Sequence, residues 1–209
     1  KALAELPPAF SSRALAAHVD WLAAPEREGR GLGTPGLRQS AEYIAKAMSD
    51  AGLAPGGDDG TWFQKFTVAK GPDGKPVEAV NVIGVLPGKR ADWSDQSVVL
   101  SAHYDHLGRG WPDVRAGNEG KIHPGADDNA SGVAVMLELA RILASEGGGP
   151  RNLVVVAFSA EEADRQGSRH YVEHPKFPIK ELRGAINLDA VGRLLDQPLS
   201  ILGTGTAEE

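Results

Sequence analysis

The chain has 209 residues, with 22 basic and 28 acidic side chains and a formal net charge of −6 at pH 7. This length is enough for one α/β domain with a hydrophobic core, and the acidic balance argues against nucleic acid or an anionic membrane surface as the main partner. The absence of cysteine excludes disulfides, thiolate metal ligands and a cysteine nucleophile. Any metal must be held by His, Asp or Glu, which suits zinc, manganese or cobalt. No apolar run is long enough to span a membrane.

Two helices are predicted in the N-terminal quarter of the chain. Residues 11–24 form an amphipathic pattern that begins with two serines, either of which is a good N-cap. Residues 37–51 form the second such pattern. A glycine-rich turn at 27–33 separates the two helices. Residues 54–61, rich in Gly, Asp and Pro, are predicted to be a loop.

Four apolar runs and one strong helix dominate the rest of the chain. The predicted strands are 79–85, 97–102, 153–158 and 185–188, with a weaker fifth candidate at 199–202. The helix is predicted over 132–145, between the second and third strands. Strands that alternate with helices indicate a three-layer α/β fold, in which helices flank a mainly parallel or mixed central sheet. We expect one domain over residues 1–209, with no inserted second domain.

Polar side chains follow three of these strands at the point where each strand ends. His103 and Asp105 follow the second strand, Glu161 and Glu162 follow the third, and Asp189 follows the fourth. Ligands gather at the carboxyl ends of parallel strands, so these side chains are expected to lie close together.

The strong helix begins with an acidic pair, Asp127 and Asp128, that faces the same edge. Taken singly, each of these groups has an ordinary explanation, since Asp caps helices well and acids that follow strands are usually solvated. Taken together they are harder to explain, because several like charges at one edge repel each other. A divalent cation removes that repulsion. The sequence therefore predicts a metal site.

Four motifs, in this order, resemble the M28 family of zinc peptidases, which includes bacterial secreted aminopeptidases. They are AHYDHLG at 102–108, GADDNASG at 125–132, FSAEE at 158–162 and NLD at 187–189. The turn Glu28-Gly29-Arg30 and the GTPG sequence at 33–36 resemble the family as well. The resemblance implies a zinc-exopeptidase fold. It also implies a metal-dependent exopeptidase, and the acidic cleft motifs favour an aminopeptidase that acts on peptide or protein N-termini.

The resemblance also implies which residues hold metal. Asp128, and not Asp127, would bridge two zinc ions. His103 and Asp189 would complete one zinc site, and Glu162 would bind the other ion. The family commonly has a cis peptide bond directly after the bridging Asp.

Two further residues receive catalytic roles from the resemblance. Glu161 would be the general base that takes a proton from water and returns it to the leaving amine. Asp105 would accept a hydrogen bond from the ring of His103 and so fix its tautomer. His106 and His123 flank the motifs as candidate cleft residues. His170 and His174 lie one helical turn apart, where the family has an ordinary surface helix.

One ligand of the family is missing from this sequence. The family's second zinc takes a histidine from a loop far beyond the strand that precedes Asp189, and no histidine follows His174 here. We therefore expect the chain to lack the C-terminal part of the domain and to hold one zinc tightly, where a complete site holds two. Weak or absent activity and self-association through an exposed sheet edge are expected for the same reason.

Alternative functions remain open at this stage. Glutaminyl cyclases share the fold and use a single zinc, and some relatives lose ligands and act as receptors. Carboxypeptidase and dipeptidase activities also remain open. A carboxypeptidase needs basic residues for the substrate carboxylate, and Arg165 and Arg193 are the candidates closest to the motifs. A secreted or periplasmic location, with the signal peptide removed, is expected, although the lack of cysteine also fits the cytoplasm.

Overall fold

The computed structural model describes residues 10–114, 116–193 and 200–203. Four helices and six strands position the site. The helices are α1 (Ser12–Leu22), α2 (Pro35–Asp50), α3 (Gly132–Ser145) and α4 (Gln166–Glu173). The strands are β1 (Ala54–Pro55), β2 (Phe63–Val68), β3 (Val77–Leu86), β4 (Ser97–His103), β5 (Asn152–Phe158) and β6 (Leu182–Asn187).

The strands form one mixed sheet in the order β1-β3-β5-β4-β6, and β2 pairs with β3 as well. The strand β4 runs parallel to both β5 and β6. In contrast, β3 runs antiparallel to β5, β1 and β2. The parallel part predicted from the sequence is therefore limited to β4, β5 and β6, which are the three strands that carry the polar residues at their ends.

The two faces of the sheet pack against different helices. In β5, Val155 and Ala157 belong to the larger core, which contains residues of α1, α2 and α3. Their neighbours Val154 and Val156 belong to a smaller core with Tyr171 of α4. Side chains alternate across a strand, so a run that is apolar throughout must be covered on both faces. The three-layer α/β architecture predicted from the sequence is confirmed.

The N-terminal predictions are close to the observed elements. Ser11 is the N-cap of α1, and its hydroxyl accepts a hydrogen bond from the main-chain nitrogen of Ala14. The helix α2 begins two residues earlier than predicted, because Thr34 caps it and Pro35 occupies its first position. After α2 the chain turns at Gly52, whose φ of +87° favours glycine.

Two strands were not predicted. The loop prediction for 54–61 contains the short strand β1, and β2 was not predicted because the polar Gln64 occupies one of its buried positions and breaks the apolar alternation that marks a strand. The weak candidate strand at 199–202 falls partly outside the described residues, and residues 200–203 form no strand. Within the described parts of the chain, no helix has both the length and the apolar character that a membrane crossing requires.

Candidate metal centre

The polar ends of β4, β5 and β6 meet at one edge of the sheet, next to the start of α3. His103, the last residue of β4, is buried. Its Nε2 atom lies 3.1 Å from Oδ1 of Asp128 and 3.5 Å from Oδ1 of Asp189. The ligand atoms of these three residues, which we call the His103 group, all lie within 4.8 Å of one another. The structure thus brings together three residues that are far apart in sequence.

The spacing of the His103 group fits a zinc ion. Two donor atoms about 2.05 Å from one tetrahedral zinc lie roughly 3.3 Å apart. The two measured separations from His103 Nε2, 3.1 and 3.5 Å, lie on either side of that value. Oδ1 of Asp128 is buried without a hydrogen-bond partner among the described residues. A buried carboxylate oxygen without a donor is destabilising unless a cation offsets it, so the donor set fits a divalent metal.

The tautomer of His103 supports the same conclusion. Its Nδ1 atom lies 3.1 Å from the main-chain oxygen of Asp105, which can only accept, so Nδ1 carries the proton. In a metal-bound ring the lone pair of Nε2 would therefore point at an ion held between the two carboxylates. Burial alone would lower the pKa of His103, but Asp105, Asp128 and Asp189 outweigh burial and raise the pKa to about 12. The group holds positive charge strongly, whether as a proton or as a metal ion.

A second group of ligand-type atoms shares Asp128. Nδ1 of His106 lies 2.7 Å from Oε1 of Glu162 and 3.9 Å from Oδ1 of Asp128. These three residues, the Glu162 group, also have ligand atoms within 4.8 Å of one another. The 2.7 Å separation is a hydrogen bond and is shorter than the roughly 3.3 Å expected for two ligands of one zinc. His106 therefore orients Glu162, a role that the sequence left open.

Asp105 supports the site in a different way from the one predicted. Its carboxylate is 3.7 Å from Nδ1 of His103, and the ring bonds to the main-chain oxygen of Asp105 instead. The buried carboxylate accepts hydrogen bonds from the main-chain nitrogens of Glu161, at 3.1 Å, and Glu162, at 3.3 Å. Asp105 thereby fixes the turn that presents both glutamates.

Glu161 lies beside the His103 group without joining it. It lines a cavity of about 210 Å³ together with His103, Arg165 and Asp189. Burial is the main cause that raises the pKa of Glu161; His103 opposes this shift, and the neighbouring acids add to it. A carboxylate with a raised pKa next to a cation site is suited to moving protons.

The structure separates the two acids at the start of α3. Asp127 turns away, and its Oδ1 accepts a hydrogen bond of 2.9 Å from the main-chain nitrogen of Gly192. Asp128 instead belongs to both metal-type groups. The peptide bond between Asp128 and Asn129 is cis, as the resemblance implies. The side chain of Asn129 donates to the main-chain oxygen of Leu188 at 2.9 Å, which ties this segment to the one that carries Asp189.

Arg30 is a supporting residue whose role was missed in the sequence. Its guanidinium is fully buried and donates four hydrogen bonds of 2.7 to 2.8 Å, all to main-chain oxygens. The acceptors belong to Leu22, Tyr104, Pro124 and Gly125. Burial lowers the pKa of Arg30 to about 10 against the opposing effect of Asp105 and Asp128. The sequence shows Arg30 only as part of the Glu28-Gly29-Arg30 turn that resembles the family, and nothing in that motif indicates which groups Arg30 contacts.

The remaining candidate histidines lie outside both groups. His123 contributes its main-chain oxygen to the close packing around Gly29, and its Nε2 is buried without a partner among the described residues. His170 and His174 form a separate group on α4 with Glu173.

Comparisons with known proteins identify the family of the chain. The model of peptidase family M28 matches residues 81–209. Aminopeptidase YwaD from Bacillus subtilis is 38% identical over 115 residues, which cover 54% of this chain and 22% of that protein. Leucine aminopeptidase 1 from Neurospora crassa is 28% identical over 160 residues, which cover 74% of this chain and 36% of that protein. The chain thus spans about a fifth to a third of these relatives.

Two solved structures share the fold. A zinc-dependent exopeptidase from Parabacteroides distasonis superposes with a TM-score of 0.72 at 24% identity, over 88% of this chain and 62% of that one. A glutaminyl cyclase from Porphyromonas gingivalis gives a TM-score of 0.67 at 22% identity, over 89% of this chain and 61% of that one. The family model covers more than half of the chain, including all four motifs, of which three follow strands and one leads into α3. The chain therefore belongs to peptidase family M28.

Proposed function

We propose that the protein is a zinc-dependent aminopeptidase that hydrolyses N-terminal peptide bonds of peptides or proteins. The observation that carries this proposal is the His103 group, whose spacing fits one zinc ion, with Glu161 beside it and free of it. The names of the two curated relatives, an aminopeptidase and a leucine aminopeptidase, support the reaction class.

In this proposal, His103, Asp128 and Asp189 would hold one zinc ion, and Asp128 and Glu162 would hold a second one more weakly. When bound, zinc supplies Lewis-acid chemistry and lowers the pKa of water at the site. Glu161 takes the proton of the attacking water and passes it to the nitrogen of the leaving group. Asp105 holds the turn of Glu161 in place through its main-chain hydrogen bonds.

The test is hydrolysis of an aminoacyl nitroanilide by the parent chain and by Glu161→Gln, which keeps the shape of the side chain but cannot accept a proton. We expect activity to fall by about 10²- to 10⁴-fold. Zinc content should stay at the parent level, because Glu161 is not a ligand in this proposal. An active Glu161→Gln variant would remove Glu161 from its role.

Blocked peptides distinguish an aminopeptidase from a carboxypeptidase. Arg165 lines the cavity next to Glu161 and is the basic residue that could bind a substrate carboxylate. An aminopeptidase cleaves a peptide with an amidated C-terminus and spares one with an acetylated N-terminus. The opposite preference would favour the carboxypeptidase.

A second candidate is a glutaminyl cyclase, because several solved structures of this fold carry that name. It uses the same metal group but releases ammonia from an N-terminal glutamine instead of adding water. Incubation with a peptide that begins with Gln, followed by mass spectrometry, separates the two reactions. A cyclic product without hydrolysis would support the cyclase.

The location and the assembly of the protein are also part of this proposal. We place it outside the cytoplasm, secreted or periplasmic, on the basis of the resemblance to secreted aminopeptidases. We also propose that copies associate through β6. In the described residues this strand pairs only with β4, and Ile186 is 57% exposed. Sedimentation of the parent and of Ile186→Lys should show a dimer only in the parent.

A further inference from the structure

The C-terminal end of α4 carries a second set of metal-type ligands that the proposed reaction does not use. His170 and Glu173 lie in the last turn of α4, and His174 follows as its C-cap. Residues four apart share one face of a helix, and the rings of His170 and His174 lie with their centroids 4.4 Å apart. One ligand atom from each of the three residues lies within 4.8 Å of the others.

This set is held in place by β2. The ring of His170 stacks on Phe66 of that strand, with centroids 5.2 Å apart. The main-chain oxygen of His174 accepts a hydrogen bond of 2.7 Å from Nε2 of Gln64. Both contacts limit the motion of the helix end, so the entropy lost when a ligand binds is small.

The tautomer of His174 leaves a donor atom free for a metal. Its Nδ1 lies 3.1 Å from the main-chain oxygen of His170, and that oxygen can only accept a hydrogen bond. The proton of the neutral ring is therefore on Nδ1, and the lone pair is on Nε2. A hydrogen bond from the second ring nitrogen to a carbonyl oxygen is the usual support of a histidine ligand.

The local charges favour a cation as well. Glu173 contributes a carboxylate. Burial and then His174 lower the pKa of His170 against the smaller opposing effects of Asp58 and Glu173, so the ring is kept neutral and available as a ligand. Arg169 lines the adjacent cavity of about 410 Å³ with His170, but its guanidinium is bound to Asp164 at 3.2 Å. The positive charge of Arg169 is thereby partly offset.

We propose that His170, Glu173 and His174 form a peripheral binding site for a late first-row divalent metal ion such as Ni²⁺, Cu²⁺ or Zn²⁺. Two imidazoles and one carboxylate select these ions over Mg²⁺ or Ca²⁺, which prefer oxygen ligands only. This site shares no residue with the His103 or Glu162 groups, so it stands independently of the proposed reaction.

Calorimetric titration with Ni²⁺ tests the proposal on the parent chain, on His174→Ala and on the double variant His170→Ala/His174→Ala. The double variant should bind one equivalent less than the parent. His174→Ala should weaken that equivalent by roughly tenfold or more, since one of two imidazole donors is lost. Val172→Ala, an exposed change on the same helix that keeps all three ligands, should match the parent. Mg²⁺ should not bind at this site in the parent chain or in any variant.

The site is overturned if the double variant binds as many equivalents of Ni²⁺ as the parent with the same affinities. Circular dichroism checks that each variant is folded. His174→Ala is the milder change, because His174 is exposed. His103→Ala provides the complementary result, because it should lose an equivalent of zinc while keeping the one at His174. Loss of both equivalents in either variant would also contradict the proposal.

Discussion

The two metal-type groups at the sheet edge share Asp128 but differ in how their atoms are spaced. In the His103 group, the nitrogen and the carboxylate oxygens lie 3.1 and 3.5 Å apart, which leaves room for an ion between them. In the Glu162 group, His106 and Glu162 lie 2.7 Å apart and form a hydrogen bond. The His103 group is suited to bind a cation directly. In the Glu162 group, the hydrogen bond from His106 orients the carboxylate of Glu162, which can then bind a cation. Unequal affinities for two zinc ions are the expected consequence.

The largest expected effect comes from Asp128→Asn, which changes the residue that the two groups share. The neutral amide keeps the size of the side chain but removes its charge, so both zinc equivalents should weaken and activity should fall by about a thousandfold or more. Zinc content by mass spectrometry and turnover of an aminoacyl nitroanilide are the two measurements.

Asp127→Asn is the matched control for this change. Its amide oxygen can still accept the hydrogen bond from Gly192, so both zinc binding and turnover should stay near the parent values. If the two asparagine variants behaved alike, Asp128 would not be the shared ligand, and the comparison between the two groups would fail.

The difference between these two acids shows what could be predicted from the sequence. The strand-end motifs were visible because buried strands such as 153–158 are apolar throughout and polar residues follow them at once. The choice of Asp128 over Asp127 came from the resemblance alone. In the structure, Asp127 is kept away from the metal groups because its carboxylate accepts a hydrogen bond from the main-chain nitrogen of Gly192. Every residue except proline has such a nitrogen, so the sequence does not reveal this contact.

The same reasoning explains the other misses. Arg30 acts entirely on main-chain oxygens, so no partner residue could be identified from the pattern. Similarly, β2 alternates buried and exposed residues over only six positions and pairs antiparallel with β3. The polar Gln64 occupies a buried position in its FQKFTV sequence, which weakens the apolar alternation that marks a strand. Local composition therefore predicted the strands with continuous apolar runs, but neither β2 nor its antiparallel pairing with β3.

Arg30→Met tests whether the His103 group depends on its main-chain support. The change removes four hydrogen bonds to buried oxygens and should lower the free energy of unfolding by about 3–5 kcal/mol. Arg30→Lys keeps the charge and some of the bonds, so its loss should be smaller. Urea unfolding measures both.

Arg183→Met is the reference for this pair, because Arg183 makes only a partly exposed ion pair with Glu181. Its effect should stay within about 1 kcal/mol. Equal losses for Arg30→Met and Arg183→Met would show that the buried guanidinium does not support the fold around the His103 group.

A smaller effect is expected from His106→Ala, which separates the two groups directly. Loss of the hydrogen bond to Glu162 should weaken the second zinc equivalent by about 10- to 100-fold and leave the first unchanged. His106→Asn restores a donor close to the position of Nδ1 and should recover much of the affinity. Calorimetric titration with zinc resolves the two equivalents. If the first equivalent weakened instead, His106 would support the His103 group, and its assignment to the Glu162 group would be wrong.

The smallest expected effect concerns His18, which belongs to neither metal-type group. It tests whether a residue outside the site makes the free energy of unfolding depend on pH. Its Nδ1 lies 2.7 Å from the hydroxyl of Tyr43, and burial lowers its pKa against the opposing effect of Glu138. Because the folded-state pKa lies below the ordinary value of 6.5, the unfolded chain binds more protons as the pH falls through that value. The free energy of unfolding should therefore decrease on acidification below about pH 6.5. His18→Gln cannot titrate and should flatten this part of the profile, as urea unfolding at a series of pH values would measure. An unchanged slope in His18→Gln would show that His18 is not a source of the acid sensitivity.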